Sequence, residues 1–305
     1  MSDVSDLIVF DSVTDAVQIT SGKAPDHPLI HVMNLADTHV PESYRNARIC
    51  CNLYQLVLKR NNTCQVRYGR RQYDFACGVI GAYAPGQVMQ VDEAYRPGDL
   101  EGWSLIFHPD LLLQHPLGQR IQQYGFFSYD VCEALHASER EQQVLNRLVD
   151  EVRSETRQNL DEFSLGILLS SIELLLTYTD RFFNRQFLTR KPYYQDSVER
   201  FKALVDEHLE QASLSGAGLP SVKQLAAEMN MSPNYMSDLL RKYTGNCAQE
   251  LIHLQLVEKA KYRLLNTNDS VSTIAYQLGF EYPQYFSRIF KKKTAMSPQD
   301  FRKLQ

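Results

Sequence analysis

Two segments near the end of the chain carry polar side chains at the spacing of a single helix face. In each segment these residues recur at positions i, i+3, i+4 and i+7. They are Asn234, Ser237, Asp238 and Arg241 in the first segment, and Gln284, Ser287, Arg288 and Lys291 in the second. Arginine can bond guanine O6 and N7 in bidentate fashion, and asparagine or glutamine can bond adenine N6 and N7 in the same way. The residues predicted to read base edges are Asn234, Ser237, Asp238, Gln284, Ser287 and Arg288.

Basic residues and helix starts in the same region are candidate contacts to DNA phosphates. Lysine and arginine neutralise phosphate, and the amides at a helix start can bind anions. The candidates are Ser221, Ser232, Arg241, Lys242, Lys291, Lys292 and Lys293. The alternative is that these are ordinary solvated surface side chains. The charge distribution favours DNA, because residues 221–305 hold 12 basic and 7 acidic residues, whereas residues 1–220 have a net charge of −9.

An internal repeat supplies the elements that would position these faces. Residues 221–226 match residues 270–275 at an offset of 49, and residues 233–244 match residues 283–294 at an offset of 50. Each copy predicts a capped helix, a tight turn and a second helix, with one residue inserted in the second turn. This arrangement is a helix-turn-helix, whose second helix can enter the major groove. A continuous helix over residues 248–265 is predicted to link the two copies.

The opposite face of each predicted recognition helix is apolar. The stripe comprises Met236, Leu239, Leu240 and Tyr243 in the first helix, and Phe286, Ile289 and Phe290 in the second. Such a stripe is typical of a helix that packs on a core and exposes its other side.

Residues 270–302 contain a characteristic series of apolar, aromatic, glycine and basic residues. The series is Ile274, Ala275, Leu278, Gly279, Phe280, Tyr285, Phe286, Ser287, Arg288, Phe290, Lys291, Lys292, Ser297 and Pro298. It resembles the signature of the AraC/XylS family of bacterial transcription regulators, and the resemblance covers residues 197–305. The resemblance implies a sequence-specific regulator that binds double-stranded DNA, activates transcription and contacts RNA polymerase. It also implies a cupin-like N-terminal domain that senses a small-molecule effector and forms a homodimer.

The chain departs from the family pattern at Asp238, where an arginine or another base-reading residue is common. A carboxylate at this position repels phosphate unless it accepts a hydrogen bond from cytosine N4 or pairs with Arg241. Further departures are found at Leu256, Tyr282, Pro283 and Ala295, the last of which replaces a usual glycine. These differences predict an altered site preference rather than a loss of DNA binding.

The first part of the chain has a strand pattern followed by a helical one. Alternating residues and turn signals between positions 48 and 108 predict a small antiparallel barrel or sandwich. From residue 138 the apolar residues recur with a helical period and predict an antiparallel hairpin of two helices. Residues 187–196 break the helical pattern and predict a linker. We therefore predict an α+β chain, with a cupin-like β-barrel and helical hairpin at 1–190 for regulation and dimerisation, and an all-α double helix-turn-helix domain at 191–305.

Aromatic side chains of the strand region are candidates for an apolar effector pocket. They are Tyr54, Tyr68, Phe75, Trp103 and Phe107. Because alternate residues of any barrel fill its interior, an ordinary core is the alternative interpretation. His108 is the only histidine between positions 48 and 108. No metal site and no cofactor are therefore expected.

Two other functional classes are compatible with parts of the sequence. A DNA repair enzyme that accepts alkyl groups on cysteine, fused to an AraC-type DNA-binding module, would need an activated thiolate. The six cysteines, which have no CxxC pair, are Cys50, Cys51, Cys64, Cys77, Cys132 and Cys247. The third hypothesis is a ligand-binding protein whose DNA-binding module is degenerate because of Asp238.

The apolar-rich segment at residues 165–176 is too short to cross a bilayer. The aspartate-rich start lacks the basic and apolar regions of a secretory signal. We therefore expect a protein of the cytoplasm without a membrane segment. The family resemblance implies that it is non-enzymatic and associated with the bacterial nucleoid.

Overall fold

The structure is a computed structural model of the chain, and it describes residues 7–44, 47–60, 67–68, 71–72, 78–90, 96–130, 133–159, 161–189, 191–215 and 218–303. The chain divides into two compact units, Met1–Gln186 and Phe187–Gln305. The predicted boundary between residues 190 and 191 falls within the second unit, close to its beginning.

Short β-strands of the first unit pair into three sheets. The described strands are β1 (Leu7–Phe10), β2 (Ile30–Asn34), β3 (Arg48–Cys51), β4 (Tyr54–Arg60), β5 (Arg67–Tyr68), β6 (Arg71–Gln72), β7 (Val79–Tyr83), β8 (Gln87–Gln90), β9 (Glu101–Phe107) and β10 (Leu135–His136). Five antiparallel strands form one sheet in the order β10, β7, β4, β9, β2. A second sheet has the order β1, β3, β8, with β1 parallel to β3, and β5 pairs with β6. The presence of both sheets and helices confirms the predicted mixed α+β class. The cupin-like barrel is not confirmed, because the pairings among the described residues leave open sheet edges.

Alternation along β9 places successive side chains in two different hydrophobic clusters. Leu105 and Phe107 are buried together with Leu145 of the following helical region. Ile106 points the other way and is buried with Val13 and the second sheet. This period-two pattern is what a sheet covered on both faces requires.

Helices of the first unit include the predicted antiparallel hairpin. The described α-helices that begin in the first unit are α1 (Val13–Ser21), α2 (Leu117–Arg120), α3 (Glu139–Thr156) and α4 (Ser164–Thr189). The hairpin consists of α3 and α4. Ser138 and Glu141 form a capping box at the start of α3. Arg185, near the end of α4, donates from Nη2 to Oε2 of Glu141 over 2.7 Å. Since the end of α4 meets the start of α3, the two helices run in opposite directions.

The predicted linker at residues 187–196 is helical wherever the structure describes it. Helix α4 continues to Thr189, and α5 (Lys191–Ser215) begins immediately after residue 190. Pro192 is therefore the second residue of α5. Proline is tolerated in the first turn of a helix, because its missing N–H would have no partner within the helix. The prediction that residues 187–196 break the helical pattern was wrong because the proline marks a helix start, and their role as a linker between the domains stays a prediction.

Every regular element described in the second unit is a helix. After α5 come α6 (Val222–Glu228), α7 (Pro233–Thr244), α8 (Ala248–Asn266), α9 (Val271–Gln277), α10 (Pro283–Thr294) and α11 (Pro298–Arg302). In the described parts of the chain, no helix is both long and apolar enough to cross a membrane.

Matching caps begin the two copies of the repeat. The hydroxyl of Ser221 accepts a hydrogen bond from the N–H of Gln224 at the start of α6. The hydroxyl of Ser270 accepts one from the N–H of Thr273 at the start of α9. Each cap satisfies a backbone N–H that has no partner within its helix. The helix starts predicted from these serines are confirmed.

Equivalent hydrogen bonds close the two turns. The N–H of Met231 donates to the carbonyl of Ala226 over 2.9 Å, and the N–H of Phe280 donates to the carbonyl of Ala275 over 3.0 Å. Residues 229–232 connect α6 to α7, and residues 278–282 connect α9 to α10. The extra residue predicted in the second turn is thus confirmed, and both helix-turn-helix motifs are present.

The structural repeat is longer than the matched sequence segments. The hydroxyl of Thr244 donates to the carbonyl of Leu240 over 2.7 Å, and Thr294 makes the same bond to Phe290 over 2.8 Å. Helices α8 and α11 then begin at residues 248 and 298, again at an offset of 50. The start of the linking helix and the last helix of the domain are therefore equivalent elements.

Helix α5 is joined to the linking helix α8 by polar contacts. The amide of Gln255 donates to the carbonyl of Lys202 over 3.0 Å. Lys259 lies 3.3 Å from Asp206 and 3.5 Å from Glu210. These bonds make α5 part of the helical frame that carries the two motifs.

Candidate nucleic-acid interface

Helices α7 and α10 each bury an apolar face and present a polar one. The buried residues are Tyr235, Met236, Leu239 and Leu240 in α7, and Phe286, Ile289 and Phe290 in α10. The exposed or half-buried polar residues are Asn234, Ser237, Asp238 and Arg241 in α7, and Gln284, Ser287, Arg288 and Lys291 in α10. The residues predicted to read base edges are therefore accessible on both helices.

The apolar face of α7 differs from the predicted stripe at two tyrosines. Tyr243 is only half-buried, whereas Tyr235, which the helical period did not select, is buried. The ring of Tyr235 packs on that of Phe187 with centroids 5.1 Å apart, and the hydroxyl of Tyr243 donates to the carbonyl of Phe187. Periodicity within α7 could not reveal this, because Phe187 lies on a different helix.

Asp238 forms an ion pair with Arg241 on the polar face of α7. Nη1 of Arg241 lies 2.9 Å from Oδ1 of Asp238, at a spacing of three residues along the helix. Because the guanidinium is largely exposed, the pair contributes little to folding stability. Its main effect is on the surface charge, since the carboxylate and the nearest cation of this face neutralise each other. The sequence had left this partnership open as one of two possibilities.

Arg288 on α10 lies against an aromatic ring. Its guanidinium carbon is 5.1 Å from the ring centroid of Tyr285, three residues earlier in the helix. This distance is within the range of a cation–π contact. Arg288 is exposed beyond the ring. Its donors can therefore reach a partner outside the protein.

The three consecutive lysines at the end of α10 are in different surroundings. Lys293 is half-buried and lies 3.9 Å from Oε1 of Glu250. Lys291 and Lys292 are exposed and form no ion pair with any residue that the structure describes. Cations near a helix C-terminus interact favourably with its dipole. Lys291 and Lys292 are thus the lysines of this run most available to an external phosphate.

Both serines predicted to mark phosphate-binding helix starts are helix caps. Ser221 is exposed and takes part in a capping box with Gln224. Ser232 is buried, and its hydroxyl accepts a hydrogen bond of 3.3 Å from the N–H of Tyr235. Any phosphate contact at these positions would involve backbone amides, as the sequence prediction had proposed.

The aromatic residues proposed for an effector pocket lie mostly in the core of the first unit. Trp103 and Phe107 are buried, and the indole Nε1–H of Trp103 donates to Oδ1 of Asn146 over 2.8 Å. Tyr54 stacks on Phe107 with ring centroids 5.2 Å apart. The packing of these residues matches the core alternative. The side chain of Tyr68 and the whole of Phe75 lie outside the described residues.

The structure describes three of the six cysteines, and the surroundings of one of them, Cys51, disfavour an activated thiolate. Cys51 is buried, and burial raises the pKa of its thiol. A nucleophilic cysteine needs the opposite shift, which a nearby cation or metal supplies. Cys50 and Cys247 are partly buried, and Cys64, Cys77 and Cys132 lie outside the described residues. The geometry thus gives no support to the cysteine-dependent repair hypothesis.

Two helix-turn-helix motifs on one helical frame, each with a polar recognition face, define the class of DNA-binding helix-turn-helix domains. Residues 225–304 match a family model described as a helix-turn-helix domain. The arabinose operon regulatory protein of Escherichia coli K12 is 26% identical over 178 residues, which are 58% of this chain and 55% of that protein. The regulatory protein YesN of Bacillus subtilis is 36% identical over 88 residues, 28% of this chain and 24% of that protein.

Among solved structures, the C-terminal domain of AraT, a response regulator from Geobacillus stearothermophilus, is 27% identical. The match covers 35% of this chain and 84% of that domain, with a TM-score of 0.32. The chain spans just over half of the arabinose regulator and about a quarter of YesN. The helix-turn-helix match and these relatives confirm the predicted resemblance of the C-terminal part of the chain to regulators of the AraC/XylS family.

Proposed function

We propose that this protein is a sequence-specific DNA-binding transcription regulator that uses α7 and α10 as recognition helices. The observation that carries the proposal is the duplicated helix-turn-helix, in which both recognition helices present polar side chains to solvent. A single exposed polar helix face is common. Two equivalent faces joined by one linking helix are what a reader of successive major grooves requires.

The two kinds of polar residue have different tasks in this proposal. Asn234, Ser237, Gln284, Ser287 and Arg288 contact base edges and determine which sequence is bound. Asp238, the remaining predicted base reader, is paired with Arg241 and lowers the affinity through its charge. Arg241, Lys242, Lys291, Lys292 and Lys293, with the helix starts at Ser221 and Ser232, contact phosphates and supply affinity without sequence information. The expected target is an asymmetric element of about two helical turns per monomer.

The N-terminal part of the chain is proposed to regulate this binding. By its similarity to regulators of this family, we assign residues 1–190 to a cupin-like domain that senses a small-molecule effector and forms a homodimer. The protein then acts as an activator in contact with RNA polymerase, in the bacterial cytoplasm where the nucleoid lies. This role is not enzymatic and needs no metal or cofactor. The regulators of the arabinose and other operons among its relatives support a role of this kind.

Selection from a pool of random duplexes by the full chain tests the proposal. We expect recovery of one motif of about two helical turns with two informative blocks, one for each recognition helix. The matched control is the same selection with a chain that carries Gln284→Ala and Arg288→Ala, whose folding is checked by circular dichroism. That variant should keep one block and lose the other. No enriched motif with the folded wild-type chain would contradict the proposal and favour a ligand-binding protein with a degenerate DNA-binding module.

A further inference from the structure

Tyrosine occupies the third position of both recognition helices, but the two rings have different surroundings. Tyr235 in α7 is 3% exposed and packs against Phe187. Tyr285 in α10 is 41% exposed. The core of the second motif therefore does not require the ring of Tyr285, and much of that ring is available at the surface.

The exposed ring of Tyr285 is held from one side and covered from another. Phe280, which is itself buried, meets it edge-on with ring centroids 6.0 Å apart. The guanidinium of Arg288 lies over the ring at 5.1 Å from its centroid. The ring of Tyr285 is therefore a platform, which Phe280 orients and on which the guanidinium of Arg288 stacks.

A platform of this kind changes how an arginine binds. The side chain has many rotamers, and binding in one fixed geometry removes that freedom. An arginine that is already stacked on a ring loses less rotamer freedom when it binds. Its planar guanidinium keeps the outward N–H donors available for a bidentate partner. Guanine O6 and N7 form such a partner in the major groove.

We propose that Tyr285 is a positioning residue that holds Arg288 in the geometry needed to select guanine. This inference rests on the proposed function, because it assumes that α10 reads base edges. It adds a residue outside the predicted contact set and names the base that the Tyr285 and Arg288 pair selects. In α7 the equivalent pair is Tyr235 and Asp238, and Asp238 is held by Arg241 instead, so no such device is present there.

Binding measurements on full-length variants test this role. The target is the duplex recovered by selection, compared with duplexes in which one guanine is replaced by adenine or by 7-deazaguanine, which lacks the N7 acceptor. The Arg288→Ala variant first identifies the guanine that Arg288 contacts, because replacement of that guanine no longer lowers the affinity of this variant for the duplex. We then expect Tyr285→Leu to reduce the preference for that guanine about two- to fivefold, the ratio that corresponds to an exposed cation–π contact. Tyr285→Phe, which keeps the ring, should retain the preference of the wild type.

Tyr262→Leu is the matched control, because Tyr262 on α8 is an exposed tyrosine outside both recognition helices. It should leave the preference unchanged. The slope of log Kd against log salt should be the same for all tyrosine variants, since none changes a charge. Circular dichroism melts verify folding, and Tyr285→Met replaces Tyr285→Leu if the latter does not fold.

Three results would overturn the positioning role. An unchanged guanine preference in Tyr285→Leu, with the preference lost in Arg288→Ala, would reject this inference and leave the proposed function intact. A loss in Tyr285→Phe as large as in Tyr285→Leu would assign the effect to the hydroxyl group. If Arg288→Ala retained every base preference, the assignment of Arg288 to base reading would fail, and the role of Tyr285 with it.

Discussion

Asp238 and Arg288 hold equivalent positions in the two recognition helices and carry opposite charges. Each is the sixth residue of its helix when Pro233 of α7 and Pro283 of α10 are counted as the first. Asp238 is paired with Arg241, and Arg288 lies on the ring of Tyr285. The two copies of one structural motif therefore present different chemistry on their polar faces, a neutralised ion pair in the first and a cation stacked on a ring in the second.

The charge at Asp238 is expected to weaken DNA binding. In Asp238→Asn the carboxylate no longer repels phosphate, and Arg241 loses the partner that neutralises it. We expect the affinity for the selected duplex to rise several-fold and the salt dependence to steepen by about one unit of slope. Fluorescence anisotropy at several salt concentrations measures both quantities.

Glu258→Gln is the matched control for this substitution, because Glu258 forms an ion pair of the same spacing with Lys261 on α8. It should change neither quantity. If Asp238→Asn instead weakened binding and relaxed a preference for cytosine at one position, Asp238 would be a direct reader of cytosine N4.

Neighbouring lysines of α10 should contribute unequally to the salt dependence of DNA binding. Lys292 is exposed, whereas Lys293 is half-buried beside Glu250. We expect Lys292→Ala to weaken binding to all sequences alike and to reduce the salt slope by about one. Lys293→Ala should have a smaller effect on the slope, because Glu250 already compensates its charge. Equal slopes for the two variants would contradict this difference.

Ala295 ends α10 in a left-handed backbone conformation, with φ of 61°. At the same place after α7 the chain has Gly245, with φ of 76°. A side chain in this conformation costs about 1 kcal/mol relative to glycine. Ala295→Gly should therefore raise the free energy of unfolding by about 1 kcal/mol, measured by chemical denaturation with circular dichroism. Gly245→Ala is the converse control and should lower it by a similar amount, while a destabilised Ala295→Gly would refute the account.

Trp103 is the only tryptophan of the chain and reports on the first unit. Its indole N–H donates to Asn146 on α3, and the ring is buried. In Asn146→Ala this donor loses its acceptor, which costs about 1–3 kcal/mol. We expect a lower midpoint for the unfolding transition followed by tryptophan fluorescence. Gln143→Ala, at an exposed position on the same helix, is the control and should leave the midpoint unchanged. Equal midpoints for the two variants would show that the bond between Trp103 and Asn146 does not stabilise the first unit.

The helix-turn-helix motifs were predictable because their signals are local. Ser221 and Ser270 are caps, and Pro233 and Pro283 occupy the first position of their helices. The sequence comparison does not reveal that the repeat extends to α8 and α11. Cys247 and Ser297 occupy the equivalent N-cap positions of these helices, but their side chains are chemically different. The spacing of 50 residues was the available signal.

Features that depend on distant contacts were not predictable in the same way. The burial of Tyr235 requires Phe187, and the pairing of β1 with β3 joins segments separated by almost forty residues. Helical periodicity describes one helix at a time and contains no information on its neighbours. Trp103 could be a pocket residue or a core residue on sequence grounds, and its burial and its bond to Asn146 in the folded chain distinguish the two.

The proposed function depends on base reading by α10 through Arg288. The most direct measurement is the affinity of wild type and Arg288→Ala for the selected duplex and for its full set of single base-pair substitutions. We predict that Arg288→Ala abolishes the preference at one guanine, equivalent to about 1–3 kcal/mol of discrimination, and leaves the other preferences in place. A uniform loss of affinity for every duplex, with all preferences retained, would show that Arg288 contacts phosphate and would contradict the claim.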